Sequence, residues 1–266
     1  MFIDSHCHLY YSGLVERLPS VFENMREHNV THALCASVNL ETLPTLINIA
    51  QQHQHIFASV GIHPDEPVTE TEPTTEQLCA LAQAEKVVAI GETGLDYFKT
   101  EHNPVNDMTW QQQRFRRHIQ AAIKTNKPLI IHTRAAAEHT LNILREEKAE
   151  KVGGVMHCFT ESWEVAQQAL DLGFYISISG IVTFKNAKVC QEVAQRIPED
   201  RLLIETDSPF LAPVPMRGKT NEPAFVSHVG SAIAKLRGIS VEKLAQLTTN
   251  NFFRLFKISE AYKILK

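Results

Sequence analysis

Eight short apolar runs, separated by longer amphipathic segments, constrain this chain more than any other feature. The runs fall near residues 2–6, 31–36, 56–60, 86–91, 128–132, 152–157, 174–178 and 202–206. Their length and β-branched content suit strands buried on both faces. Between them, segments 13–28, 41–53, 108–126, 135–148, 161–171 and 185–196 carry apolar residues at helical spacing with charged opposite faces. Strand and helix in alternation imply parallel strands joined by crossover helices. Eight such units in 266 residues predict one α/β domain over 1–266, a (β/α)8 TIM barrel. A doubly wound open sheet is the alternative arrangement. No Pro/Gly/Ser-rich linker, low-complexity tract or shift of composition divides the chain, and 44% hydrophobic residues supply a sizeable core.

In a parallel barrel all strands run one way, so their C-terminal ends surround a single mouth. Metal-binding residue types recur at those ends. His6 and His8 follow the first run one residue apart, and alternate strand positions face the same way. Glu92 ends the fourth run, His132 the fifth, His157 the sixth and Asp207 the eighth. Such a recurrence calls for a shared cause, and one metal site is the economical one. Imidazole and carboxylate ligands suit zinc, manganese or another first-row divalent ion, whereas more oxygen ligands favour magnesium. The two oxygens of Glu92 can bridge a pair of divalent ions roughly 3.5 to 4 Å apart, the spacing of two-metal hydrolases. His6, His8 and Asp207 then complete one position, and His132 and His157 the other. Asp207 also serves as proton acceptor for a metal-activated water, with Glu92 as its catalytic companion. Glu205, two residues earlier, orients Asp207 or a histidine, or is a satisfied polar residue inside the barrel. His63, in Gly-Ile-His-Pro, reads as a contact to a ligand residue or to substrate rather than as a metal ligand.

Other features narrow the class. A formal net charge of −4 argues against an extended nucleic-acid coat but allows local grip on phosphates. Five cysteines, at 7, 35, 79, 158 and 190, form no Cys-x-x-Cys pair and leave an odd count, so a disulfide framework is not expected. Cys7 and Cys158, next to ligand candidates, are expected on the opposite strand face. There is no basic and apolar leader and no apolar run of membrane-spanning length, which reads as a cytoplasmic protein without a membrane role or an obligate protein partner. No Gly-x-Ser-x-Gly elbow or Gly-rich phosphate loop is present. Two long loops, 93–106 and 208–221, are expected at the mouth. Arg134, Arg217 and Lys219 are candidate phosphate contacts, and Tyr97 and Phe98 either stack on unpaired bases or pack the loop onto the barrel. Arg114, Arg116 and Arg117 lie within one helical segment and read as a solvated face.

Six phrases together carry a resemblance: Asp4-Ser-His-Cys-His8, Gly61-Ile-His-Pro64, Gly91-Glu-Thr-Gly-Leu-Asp-Tyr97, His132-Thr-Arg134, His157-Cys-Phe-Thr160 and Glu205-Thr-Asp-Ser-Pro209. In this order, and nearly end to end, the chain resembles the TatD family of metal-dependent deoxyribonucleases, amidohydrolase-like barrels. The resemblance implies two divalent ions per chain, one on His6, His8, Glu92 and Asp207 and the other on Glu92, His132 and His157. It also implies hydrolysis of DNA phosphodiester bonds, as a 3′–5′ exonuclease. The alternative is a small-molecule amidohydrolase or lactonase that turns the same activated water on a carbonyl. Ala135 and Thr220 stand where the family commonly has an acidic and a basic residue, changes that touch substrate contacts and leave every proposed ligand in place.

Overall fold

The computed structural model describes residues 1–68, 72–98 and 108–263. Eight parallel strands run in the order of the sequence: β1 (Phe2–Cys7), β2 (Val30–Cys35), β3 (Ile56–Val60), β4 (Val87–Asp96), β5 (Leu129–Arg134), β6 (Gly154–Met156), β7 (Tyr175–Ile178) and β8 (Leu202–Ile204). The connecting helices are α1 (Leu18–Glu27), α2 (Leu43–Gln52), α3 (Thr75–Leu81), α4 (Thr109–Thr125), α5 (Ala137–Glu146), α6 (Trp163–Asp171), α7 (Lys188–Arg196), α8 (Val226–Arg237), α9 (Val241–Leu255) and the short α10 (Glu260–Lys263). This is a (β/α)8 barrel, as the alternation of apolar runs predicts. Helices α3, α8, α9 and α10 were not anticipated. The first is short, beginning at a capping box in which Thr74 and Gln77 satisfy each other's backbone amides. Among the described residues no helix is long and apolar enough to cross a membrane.

Two layers of apolar packing follow from the period of two along each strand. One cluster takes a single residue from every strand, Ile3, Leu34, Phe57, Ala89, Ile130, Val155, Tyr175 and Leu203, and is closed by Phe252, Phe253 and Phe256 at the end of α9. These side chains fill the barrel interior. The larger cluster joins the alternate strand positions, such as Ile131, Met156 and Ile204, to the helices outside. Two residues beyond the interior set, on the same inward face, stand His132, His157 and Glu205. Strand periodicity therefore sets a polar layer directly above an apolar floor.

The seam between β8 and β1 closes through a short parallel bridge. His8 N–H donates to Ser208 O (2.8 Å) and Asp207 N–H to His6 O (2.9 Å). The fully buried Asp4 carboxylate reinforces it, accepting from Thr206 N (2.9 Å), Thr206 Oγ1 (2.5 Å) and His6 N (3.2 Å). Burial pushes the Asp4 carboxyl well up, against the opposing pull of these hydrogen bonds.

The fourth strand is longer than its apolar run, extending to Asp96 instead of ending near 91. Gly94 permits this. Its φ is +140°, and a Cβ there would lie 2.0 Å from His132 O, so β4 approaches β5 more closely than any side chain would allow. The expected loop over 93–106 thus starts four residues late, and its residues 99–106 lie outside the described residues.

Helix α4 corrects a second expectation. Arg114 is not on a solvated face but is the largest fully buried side chain among the described residues. Four residues on, the fully buried His118 donates from Nδ1 to Arg114 O (2.8 Å) and accepts at Nε2 from Ile62 N–H (3.1 Å). Burial lowers its pKa from 6.5 to about 4. A protonated ring would have no lone pair for Ile62, so the native state binds this proton later than the unfolded chain. Its contribution is complete above pH about 6.5 and lost as pH falls towards about 4. The interval corresponds to a contribution on the order of 3 kcal/mol. His118→Gln keeps an acceptor near Ile62 but does not titrate. Denaturant unfolding from pH 7 to pH 4 should therefore show a shallower loss of stability in the variant. Parallel curves for the two proteins would refute this role of His118.

Candidate metal centre

Glu92 is the hub of the site. Its side chain is 3% exposed, and its two oxygens face different partners. Oε2 lies 3.2 Å from His6 Nε2 and 3.9 Å from His8 Nε2. Oε1 lies 2.8 Å from His157 Nε2, 3.2 Å from His132 Nδ1 and 3.3 Å from His63 Nε2. Asp207 completes the first side, its Oδ1 3.4 Å from His8 Nε2 and 3.7 Å from His6 Nε2. The structure thus brings together all six nominated residues, and it sets His63 beside the second group. Strand β8 ends at Ile204, so Asp207 reaches the mouth from the following turn, where its φ of +58° is a left-handed conformation that Asp tolerates.

The surroundings of each ring decide what it can offer. His8 Nδ1 must donate to the Ala36 carbonyl (3.0 Å), which leaves Nε2 with a bare lone pair facing inward. His132 Nε2 is 3.0 Å from Asp96 Oδ2, so its Nδ1 is the free nitrogen towards Glu92. His157 Nδ1 is 3.3 Å from Glu205 Oε1, with Nε2 turned to Glu92. Both nitrogens of His157 and Nδ1 of His6 are buried without a completed hydrogen bond. His6 Nε2 and His8 Nε2 lie 3.2 Å apart, and the rings of His6 and His157 stack at 4.0 Å. Lone pairs crowded this closely need a shared positive charge. Mixed nitrogen and carboxylate donors of this kind fit a first-row divalent cation. Three overlapping groups, His6/His8/Glu92, His63/Glu92/His132 and His6/His157/Glu205, bring ligand atoms within 4.8 Å of one another.

Electrostatics agree with the geometry. Burial by itself would raise the Glu92 carboxyl, but the surrounding imidazoles, His157 foremost, hold it well below the usual carboxylate range. Burial opposes a charge on His157 too, yet Glu92 and Glu205 raise its pKa well above the ordinary value. His6 moves the other way, lowered by burial and by His157.

The remaining nominated residues divide. Glu205 is fully buried and accepts from Cys158 N–H (2.6 Å), standing behind His157 rather than in the mouth. Arg134 lines the cavity, its guanidinium 3.7 Å over the exposed ring of Phe98. Arg217 turns away from the cavity, donating to Ala212 O (3.2 Å) and stacking 4.3 Å over Phe184. Lys219 is exposed on the same loop and is not among the residues lining the cavity. Neither expected phosphate contact lines the cavity, and the Arg217 guanidinium serves the packing of its own loop. Tyr97 packs against the barrel, accepting at its hydroxyl from Gln112 Nε2 (3.1 Å). Cys158 lies beyond the end of β6 and lines the cavity, contrary to its expected place on the opposite face. The described cysteines are all free.

Asp96 and Asp4 escaped the sequence reading. Period two from Glu92 through Gly94 places Asp96 on the same face, and drawing the fourth strand to 91 hid that relation. The cavity at the mouth measures about 640 Å³, takes in Asp96 and is also lined by Tyr11, Asp65, Glu66, Thr160 and Phe210.

An eight-stranded barrel with histidines and carboxylates collected at its C-terminal mouth defines the metal-dependent hydrolase class. The sequence profile of the family described as TatD related DNase matches residues 3–257, and the chain belongs to this TatD family. It is 47% identical over 260 residues to the metal-dependent hydrolase YcfH of Escherichia coli K12, covering 96% of each chain. It is 42% identical over 259 residues to YabD of Bacillus subtilis, a protein of the same descriptive name, covering 97% of this chain and all of that one. The crystal structure of YjjV, a TatD homologue of Escherichia coli, superposes with a TM-score of 0.89 at 26% identity, covering 97% of this chain and 98% of the other. An organophosphorus hydrolase from Deinococcus radiodurans, at 14% identity and a TM-score of 0.67 over 96% of this chain and 92% of that one, shares the fold.

Loss of the acceptor behind His132 should loosen metal binding without changing a ligand. Asp96→Asn is expected to weaken divalent-ion affinity by about 10- to 100-fold, measured by competition with a chromogenic chelator. Affinity equal to that of the parent protein would show that Asp96 does not orient the ring.

Proposed function

We propose that this protein hydrolyses DNA phosphodiester bonds, releasing nucleotides from a 3′ end, at a centre of two divalent ions. The observation that carries the reading is Glu92, whose two oxygens each face a separate set of imidazoles. His6, His8, Asp207 and Oε2 of Glu92 would hold one ion, and His132, His157 and Oε1 the other. Bound divalent ions supply Lewis acidity, lowering the pKa of water towards about 7 and neutralising charge that develops on a phosphoryl group.

The chain's own groups then have distinct tasks. Asp207 is the more exposed of the two ligand carboxylates, at 16%, and its second oxygen would accept a proton from an attacking water. The pKa of Asp207 is lowered, since His8 and its neighbours outweigh the effect of burial, and this keeps it ionised for that task. Arg134 offers a cation at the rim for a neighbouring phosphate. Phe210, 52% exposed and edge-on to Tyr11 at 5.8 Å, offers an apolar face on which an unpaired base can stack.

Digestion of end-labelled strands tests the reading. Metal-free protein should be inert, and restoring zinc, manganese or magnesium one at a time should release nucleotides from the 3′ end of single or double strands. Intact DNA together with turnover of an amide or lactone panel would replace it by small-molecule amidohydrolase activity. Glu92→Gln removes the charge shared by both positions, so elemental analysis should show less than one ion retained per chain, with hydrolysis reduced at least about 100-fold. Full metal content with full activity would disprove the bridging role.

A further inference from the structure

His63 differs from His8, His132 and His157 in what its outer nitrogen meets, a donor instead of an acceptor, and the difference bears on what it does. Its Nδ1 accepts a hydrogen bond from the backbone N–H of Asp65 (3.0 Å). A neutral ring accepting at Nδ1 carries its proton on Nε2. That N–H points at the meeting of Glu92 Oε1 (3.3 Å) and His132 Nδ1 (3.2 Å). His8 is arranged in the reverse sense, with its outer nitrogen donating to a carbonyl and its inner one bare. His63 therefore presents a donor where its neighbours present lone pairs.

The backbone of the segment that carries His63 is held by Arg114. From inside α4 its guanidinium donates to His63 O (3.1 Å), Glu66 O (2.8 Å) and Pro67 O (3.3 Å). The same group is held by the Glu72 carboxylate through Nε (2.8 Å) and through a second bond from NH2 to Oε1, and it lies 4.8 Å from the Trp110 ring. His118 takes the N–H of Ile62, one residue before His63. Three carbonyls and one amide of the 62–67 segment are thus fastened to one helix. A rigid planar fork serves three carbonyls and a carboxylate at once, which an ammonium group cannot do.

We propose that His63 is a hydrogen-bond donor to the substrate oxygen bound at the Glu92–His132 side of the mouth, and that buried Arg114 is the residue that positions it. The role of His63 rests on the phosphodiesterase reading above, whereas its orientation by Arg114 does not. A donor aimed at developing negative charge acts mainly in the transition state, and a shift of its loop by about 1 Å is enough to lose much of that effect.

The test is a double-mutant cycle of His63→Ala and Arg114→Lys in the metal-loaded protein. Turnover of bis(p-nitrophenyl) phosphate, metal content and thermal midpoint are measured for all four proteins. His63→Ala should lower kcat about 100-fold with little change in KM and retain its metal, and Arg114→Lys should lower kcat about tenfold. In the His63→Ala background Arg114→Lys should lower kcat no further, although its thermal destabilisation persists. Nitrogen-15 NMR of the histidine rings supplies a readout that needs no substrate. The resonances lost in His63→Ala should report a bare Nδ1 and a protonated Nε2, and Arg114→Lys should mix the two tautomers. Loss of metal in His63→Ala, a coordinated Nε2, or equal kcat effects of Arg114→Lys in both backgrounds would overturn the proposal. No phosphodiester turnover by the parent protein, with the expected tautomer and its response to Arg114→Lys, would refute the phosphodiesterase reading and the donor role while leaving the positioning intact. Should Arg114→Lys fail to fold, Glu72→Gln, which loosens the seat of the guanidinium, is expected to act in the same direction.

Discussion

A carboxylate withdrawn from water and surrounded by imidazoles is the constraint on which this molecule turns. Taking an ionised carboxylate such as Glu92 out of water costs several kcal/mol unless charge and hydrogen bonds compensate it nearby. Four of the surrounding histidines come from different strands or strand ends, so the compensation exists only when the barrel is closed. The apolar interior just beneath, from Ile130 to Leu203, supplies the stability that tolerates such a cluster. The same burial makes the site a strong seat for cations, because a positive ion there relieves a deficit that water cannot reach.

Polar groups one layer out turn this cluster into a set of defined donors. Ala36 O, Asp96 and Glu205 each stand against one nitrogen of a histidine, and the opposite nitrogen faces Glu92 or Asp207. Asp65 does the opposite for His63, offering an N–H instead of an acceptor. Which rings present lone pairs and which present protons is thereby a property of backbone and carboxylate placement. The group on the far side of each ring sets what that ring presents to the mouth.

Buried charge is used away from the centre as well. Asp4 ties the first strand to the turn that carries Asp207, and Arg114 ties the third-strand loop to helix α4. Both fasten a segment bearing a residue of the mouth to the scaffold through several hydrogen bonds, where apolar packing alone would leave the loop free to shift. Relatives at 42–47% identity match nearly the whole length of the chain. At 14% identity the organophosphorus hydrolase retains the barrel, and a fold by itself does not specify an activity.

Local pattern is enough to read the eight strands and the gathering of the six nominated residues at one mouth, because a parallel barrel repeats one short apolar run and collects the residues that end each run. The hub role of Glu92 was legible for the same reason. Length and period, however, describe only neighbours along the chain. Asp96 was lost when β4 was ended at its last apolar residue, since the continuation depends on the close approach of Gly94 to β5. The charge of Arg217 on the 208–221 loop looks free in sequence until its stacking partner, Phe184, is brought in from another part of the chain. Helical spacing cannot tell which face meets a buried loop, so Arg114 reads as solvated in sequence and is buried in the fold. The sequence by itself determined which residue types stand at the ends of eight parallel strands. Only the tertiary structure decided which nitrogen of each ring is bare and which cation is buried, because both depend on hydrogen-bond partners many residues away.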